Sequence, residues 1–165
     1  MLIDTVIINA SPLIVLFKSQ LVYLLPQLFT EILVPTSVWN EVVTSRTSDA
    51  ASQQLPTVAW ARLVVEVSTV SPAIVAWNLG LGESEVLSYA LNHPGVRAMV
   101  DDAAARRCAR TLGIPTLGSG GALVLAKRRG LITTISSSIQ ALRDAGLWLS
   151  GDLVSLLKQQ AGEDT

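Results

Sequence analysis

The chain has 165 residues, half of them hydrophobic, with 12 basic against 13 acidic side chains and a formal charge of -1. That length fits one domain spanning residues 1–165 with a sizeable core, and a near-neutral balance speaks against gripping nucleic acid by wholesale phosphate neutralisation. One cysteine, Cys108, excludes an internal disulfide and fits a reducing compartment. Mean hydropathy is +0.47, yet apolar runs such as residues 13–17 are too short to span a bilayer. No basic segment precedes an apolar stretch with a cleavage site. These features predict a cytoplasmic protein whose surplus apolar surface is covered by a partner or a second copy.

In chain order, Val6-Ile7-Ile8 reads as a short buried strand, and Ser11-Pro12 as a helix start with Ser at the N-cap and Pro at N1. A second helix is expected over 21–29 and a strand over 31–34, closed by Pro35. Thr36 or Ser37 would cap a helix running through Val43. The Ser-, Thr-, Gln- and Asp-rich stretch 44–57 reads as a loop or frayed helix. Residues 60–67 read as a helix end followed by a strand. Gly80-Leu81-Gly82 is a hinge before a helix over 83–91, and 96–100 is another buried strand. A helix over 102–112 stops at Gly113, and a short strand follows at 115–117. Helices then cover 120–129, 135–145 and 150–160. Apolar strands alternating with helices predict an α/β fold with a parallel sheet covered on both faces.

In such a sheet, ligands gather at the carboxyl ends of the strands. Asn9 follows the first strand, Asp101 and Asp102 follow the strand at 96–100, and Ser119 follows the strand at 115–117. Glu83 lies three, four, seven and eight positions before Val86, Leu87, Ala90 and Leu91, which places its carboxylate on the apolar stripe, while Glu85 points elsewhere. Glu41, beside Val42 and three residues after Val38, also leans to the buried side. A carboxylate at a helix start can serve the helix dipole alone. Several buried carboxylates without partners are costly, however, and suggest a shared cation. Oxygen ligands without clustered His or Cys select Mg²⁺ or Mn²⁺ over zinc.

Other chemistries find little support. His93, the single histidine, sits in a turn, Asn92-His93-Pro94-Gly95. Gly118-Ser119-Gly120-Gly121 therefore has no plausible base for a nucleophile elbow, and neither a dinucleotide nor a phosphate-loop glycine motif occurs. Cys108 reads as a core thiol, and Trp39, Trp60, Trp77 and Trp148 as packing or interface residues. Arg106, Arg107 and Arg110, like Lys127, Arg128 and Arg129, form basic clusters that suit either phosphate contacts or solvated helix ends.

The segments Ile8-Asn9-Ala10-Ser11-Pro12-Leu13-Ile14, Ile32-Leu33-Val34-Pro35 with Val38-Trp39-Asn40-Glu41-Val42, Leu81-Gly82-Glu83-Ser84-Glu85-Val86, Asp101-Asp102 with Arg106, and the stretch from Gly113 to Ile132 share an order and spacing. Together they resemble PIN-domain proteins, in particular a prokaryotic subfamily related to VapC-type toxins. The resemblance implies a three-layer α/β/α fold with a central parallel sheet of four to five strands. It also implies a metal-dependent ribonuclease, often the toxin of a toxin–antitoxin pair. Asn9, Glu41, Glu83 and Asp101 would hold Mg²⁺ or Mn²⁺, and Asp102 could take over the last role. Ser119, Ser11 and Arg106 would be auxiliary. PIN nucleases usually place Asp where this chain has Asn9, and an amide can ligate a cation but carries no charge.

Two other function classes remain open: a PIN-like RNA- or protein-binding module without catalysis, and a nucleotide- or phosphate-binding enzyme of flavodoxin-like architecture. The apolar residues Ile139, Leu142, Leu147, Leu149, Leu153, Leu156 and Leu157 would complete the core or form a homodimer seam, with residues 150–165 as the dimer or partner element. An antitoxin helix in an apolar groove is the other expected partner.

Overall fold

The structure, a computed structural model, describes residues 3–45, 48–65 and 69–163. Its apolar runs become five strands: β1 (Ile3–Ile8), β2 (Phe29–Pro35), β3 (Ala61–Val64), β4 (Val96–Met99) and β5 (Thr116–Leu117). All pair in parallel, in the order β3-β2-β1-β4-β5, and helices flank the sheet in a three-layer α/β/α arrangement. β1 lies at the centre, with Ile7 opposite Leu33 on one side and Ala98 on the other. Val6, Ile7 and Ile8 are wholly buried, as are Ile32, Leu33 and Val34 to within a per cent. That explains why these strands read as unbroken apolar runs: both faces are covered, so no polar alternation is needed.

The helices are α1 (Ala10–Lys18), α2 (Leu25–Leu28), α3 (Thr36–Val43), α4 (Ala50–Gln54), α5 (Pro72–Val75), α6 (Leu81–Asn92), α7 (Ala103–Thr111), α8 (Ser119–Arg128), α9 (Ser136–Asp144) and α10 (Gly151–Gln160). Several depart from the sequence expectations. α1 begins one residue before Ser11, with Asn9 at the N-cap and Pro12 inside the first turn. The helix expected over 21–29 shrinks to a 3₁₀ turn, Val22–Leu24, and the four residues of α2, because Phe29 already belongs to β2. Neither Thr36 nor Ser37 caps α3. Thr36 instead bonds the Val64 carbonyl of β3 at 3.1 Å, tying the helix to the sheet edge.

The stretch expected to be a loop holds α4, capped by Asp49, whose carboxylate accepts from the Ser52 N–H at 2.8 Å, and a 3₁₀ turn at Leu55–Thr57. Ala51 and Leu55 anchor it in the core. Residues 66 and 67 of the strand expected near 60–67 lie outside the described residues. Cys108 is buried, which pushes its thiol pKa up, and Trp60 stacks on Phe17 with ring centroids 6.1 Å apart. Among the described residues no helix is long and apolar enough to cross a membrane.

The C-terminal segment is clasped by one carboxylate. Glu163 pairs with Lys127 at 2.8 Å and accepts bonds from the Thr134 hydroxyl at 2.6 Å and the Ile135 N–H at 2.7 Å. The Lys127 ammonium and these bonds lower its pKa from the usual 4.5 to about 2. A depressed carboxylate stabilises the fold fully above its unfolded pKa and loses that contribution as pH falls through the folded one. The clasp is therefore complete well above pH 4.5, weakens below it, and is lost as the pH falls through about 2. Glu163→Gln is expected to lower the melting temperature at pH 7 and to do so much less at pH 2. An equal deficit at both values would show that the charge is not what holds the tail.

Candidate metal-binding cleft

β1 and β4 are neighbours, yet the chain continues from them to opposite sides of the sheet, β1 toward β2 and β4 toward β5. Such a switch point opens a crevice at the strands' carboxyl ends. Asn9 occupies it. Its N–H donates to the Met99 carbonyl at 3.1 Å, extending the β1–β4 ladder by one residue. An asparagine at an N-cap usually accepts from the helix's first free N–H groups. Here the side chain makes no such bond; nearly buried, it lines a cavity of about 330 Å³ with Ser11, Ser37, Glu41, Gly82 and Glu83.

Three elements converge on this cavity. α3 brings Glu41 which, contrary to the expectation of a buried side, is exposed at the rim because Val38 and Val42 take the inward face. α6 brings Gly82 and Glu83 in its first turn. A β-carbon on Gly82 would stand 3.0 Å from Asn9 Oδ1 and 3.7 Å from Glu41 Oε2, so both oxygens approach the same bare α-carbon. Glu83 is half-buried, and Val86, Leu87 and Ala90 of its stripe are buried.

Glu83's pKa is raised, first by burial and then by the negative charge of Asp102, with Glu41 adding to the effect. A hydrogen bond with the Gly80 backbone works the other way. Gly80 is the N-cap of α6, so Glu83 also supplies the returning half of a capping box. The dipole reading and the ligand reading thus describe the same side chain.

The second group of expected residues sits beside the cavity, not among its lining. Both Asp101 oxygens are engaged by Ser119, Oδ1 by its N–H at 2.7 Å and Oδ2 by its hydroxyl at 2.6 Å. Asp102 caps α7, accepting from the Ala105 N–H at 2.9 Å. Arg106 lies against Gly118: a β-carbon there would stand 2.4 Å from Arg106 Nη1 and 3.2 Å from Asp101 Oδ1. Glycine leaves the guanidinium where it stands; a β-carbon would push the end of the Arg106 side chain aside.

Sequence reasoning missed one contact. Ser37 lines the cavity and its hydroxyl donates to Glu85, so Glu85 reaches α3 from a position expected to point away. Neither residue carries a signal for a partner 48 positions off.

The donor set fits a hard divalent cation in type and charge: one amide oxygen and two carboxylates, with Glu83 crowded by two like charges and no basic group among the causes of its shift. The fit in distance is looser. Among the described residues no three His, Cys, Asp or Glu side chains converge into a metal-holding group, so the carboxylates line the cleft without closing a shell. Lys127 is tied to Glu163, Arg128 to the Gln160 carbonyl and Arg129 to the Leu28 carbonyl, so that basic cluster holds the fold. His93 is an exposed turn residue stacked on Tyr89.

No curated protein matches the chain. A family described as a PIN domain matches it over residues 5–163. The chain therefore belongs to the PIN-domain family, whose members are generally nucleases.

Proposed function

We propose that the protein is a metal-dependent endoribonuclease. The observation that carries this reading is the meeting of Asn9 Oδ1 and Glu41 Oε2 across Gly82, next to a Glu83 whose carboxyl is pushed up by burial and by neighbouring acids. Like charges gathered without a basic counterpart are relieved by a bound cation. Asn9, Glu41 and Glu83 would hold Mg²⁺ or Mn²⁺, which when bound neutralises charge on a phosphodiester and makes water a better nucleophile. Asp101, fixed in two directions by Ser119, is the oriented carboxylate beside the cleft. Asp102, whose charge reaches Glu83, would take the proton from the attacking water as the new P–O bond forms. Hydrolysis then breaks one P–O bond and the proton ends on the leaving oxygen. Ser11 in the cavity lining and Arg106 beside Asp101 and Gly118 suit contacts to flanking phosphates.

The test is cleavage of a mixed RNA pool with Mn²⁺ or Mg²⁺. Cleavage is expected with either ion and lost with EDTA. Asn9 favours a second reading, an RNA- or protein-binding module, because an amide brings no charge to the cleft. Silence of the wild type with activity in Asn9→Asp would mean a lapsed nuclease. Silence of both would favour the binding module.

The toxin role and its partners belong to the same proposal. Ile139, Leu142, Leu149 and Leu157 are buried, but Leu153, Leu156 and Trp148 remain exposed around α10. That apolar strip suits a homodimer seam, or an antitoxin helix in the monomer. Light scattering on a sizing column is expected to give about twice the chain mass. A value near 17.5 kDa would discard the dimer.

A further inference from the structure

β5 is an edge strand two residues long. α8 follows it and turns Gly121, Val124, Leu125 and Arg128 to one face, the spacing of neighbours on a helix surface. With Leu117 of β5, Arg97 of β4 and Gln160 at the end of α10, they line a second cavity of about 230 Å³. No carboxylate lines it, although acids outnumber bases in the chain.

Its two arginines are differently held. Arg128 donates Nε and Nη2 to the Gln160 carbonyl at 3.2 and 2.8 Å, which fixes its guanidinium and leaves donors over. Arg97 is half-buried, and while its backbone belongs to the β1–β4 ladder its guanidinium has no hydrogen bond or ion pair with any described residue. A guanidinium partly out of water beside a second one, without a counter-charge, is the composition of an oxyanion site. Leu117, Val124 and Leu125 give the cavity an apolar wall against which a sugar or base can lie.

We propose that this cavity binds a backbone phosphate of a single-stranded nucleic acid whose neighbouring nucleotides lead into the cleft. The two places are joined by α8. Its N-cap Gly118 touches Asp101 and Arg106, and its far end carries Arg128. Ten residues at about 1.5 Å each put Arg128 roughly 15 Å from Gly118, which sits beside Asp101 at the cleft's edge, so a strand of a few nucleotides laid along α8 runs toward the cleft. The nuclease reading enters only in naming RNA as the strand; the phosphate chemistry stands on the two arginines.

The experiment is an anisotropy titration of a labelled 12-nucleotide RNA, and of the DNA of the same sequence, in EDTA at several salt concentrations. Wild type, Arg97→Gln and Arg97→Lys are compared. Losing one phosphate contact on a single strand lowers the slope of log K against log salt by about 0.7. That loss is expected for Arg97→Gln with both strands, because phosphate is common to them, while Arg97→Lys keeps the wild-type slope. An unchanged slope in Arg97→Gln overturns the proposal, as does the same loss in Arg97→Lys, which would mean packing and not charge. Failure of both strands to bind the wild type overturns it as well. The nuclease reading is decided separately: an Arg97-dependent slope in a protein without metal-dependent cleavage would remove that reading and leave this site standing.

Discussion

Glu83→Gln is expected to lower metal-dependent RNA cleavage by about 10²–10³-fold, the cost of removing one group that stabilises charge in a transition state. The substitution keeps size and shape. A glutamine can still accept from the Gly80 backbone, so the first turn of α6 keeps its cap. What disappears is a charge held among Asp102 and Glu41 at some cost in burial. The metal-free variant should therefore melt at the same temperature as the wild type or higher, while stabilisation by added Mn²⁺ shrinks. Opposite signs for stability and activity separate a functional carboxylate from a structural one. A variant that cleaves normally, or one that simply loses stability, would remove Glu83 from the site.

The parts of this molecule that were legible in the sequence are those governed by burial. Val6-Ile7-Ile8 gave itself away because a strand covered on both faces needs unbroken apolar residues, and residues 96–100 did so through Val96, Ala98, Met99 and Val100, with Arg97 the one polar interruption. Asn9 and Asp101 followed, since they sit where such strands end. Helix starts were harder, because capping preferences are local and the site overrides them. Ser11-Pro12 is a better cap on paper than Asn9, yet the helix begins at Ala10 and the uncapped amide faces the cleft.

Glu41 shows the limit of periodicity: one step from a buried valine is about 100° around a helix, enough to move a carboxylate from core to rim. Adjacent Asp101 and Asp102 could not be told apart by position either. Structure separates them, one bonded to Ser119 and the other capping α7. Contacts between distant helices, such as Ser37 with Glu85, leave no trace in local pattern.

Gly82→Ala is the second large effect, and helix propensity alone would give it the wrong sign. Alanine is favoured over glycine inside a helix by about 1 kcal/mol, so a helix-only argument predicts a gain. The added methyl, however, would stand 3.0 Å from Asn9 Oδ1 and 3.2 Å from Val38 Cγ2. Val38 is wholly buried and Asn9 nearly so, the latter pinned through its backbone to Met99, so neither has free space to retreat into. The amide must shift by a few tenths of an ångström, away from the gap it shares with Glu41. Small displacements of reacting or coordinating groups are expensive, with about 1 Å costing on the order of 10²-fold. We expect a loss of about tenfold in Mn²⁺ affinity by calorimetry, with a parallel loss of cleavage, and a melting temperature close to wild type as propensity and crowding offset each other. Gly80→Ala is the control, since its β-carbon would meet only Glu83 Oε2 at 3.9 Å, an ordinary contact. If Gly82→Ala binds Mn²⁺ as tightly as Gly80→Ala, Asn9 and Glu41 do not share a cation, and the cleft must hold its metal, if any, on the Asp101 side.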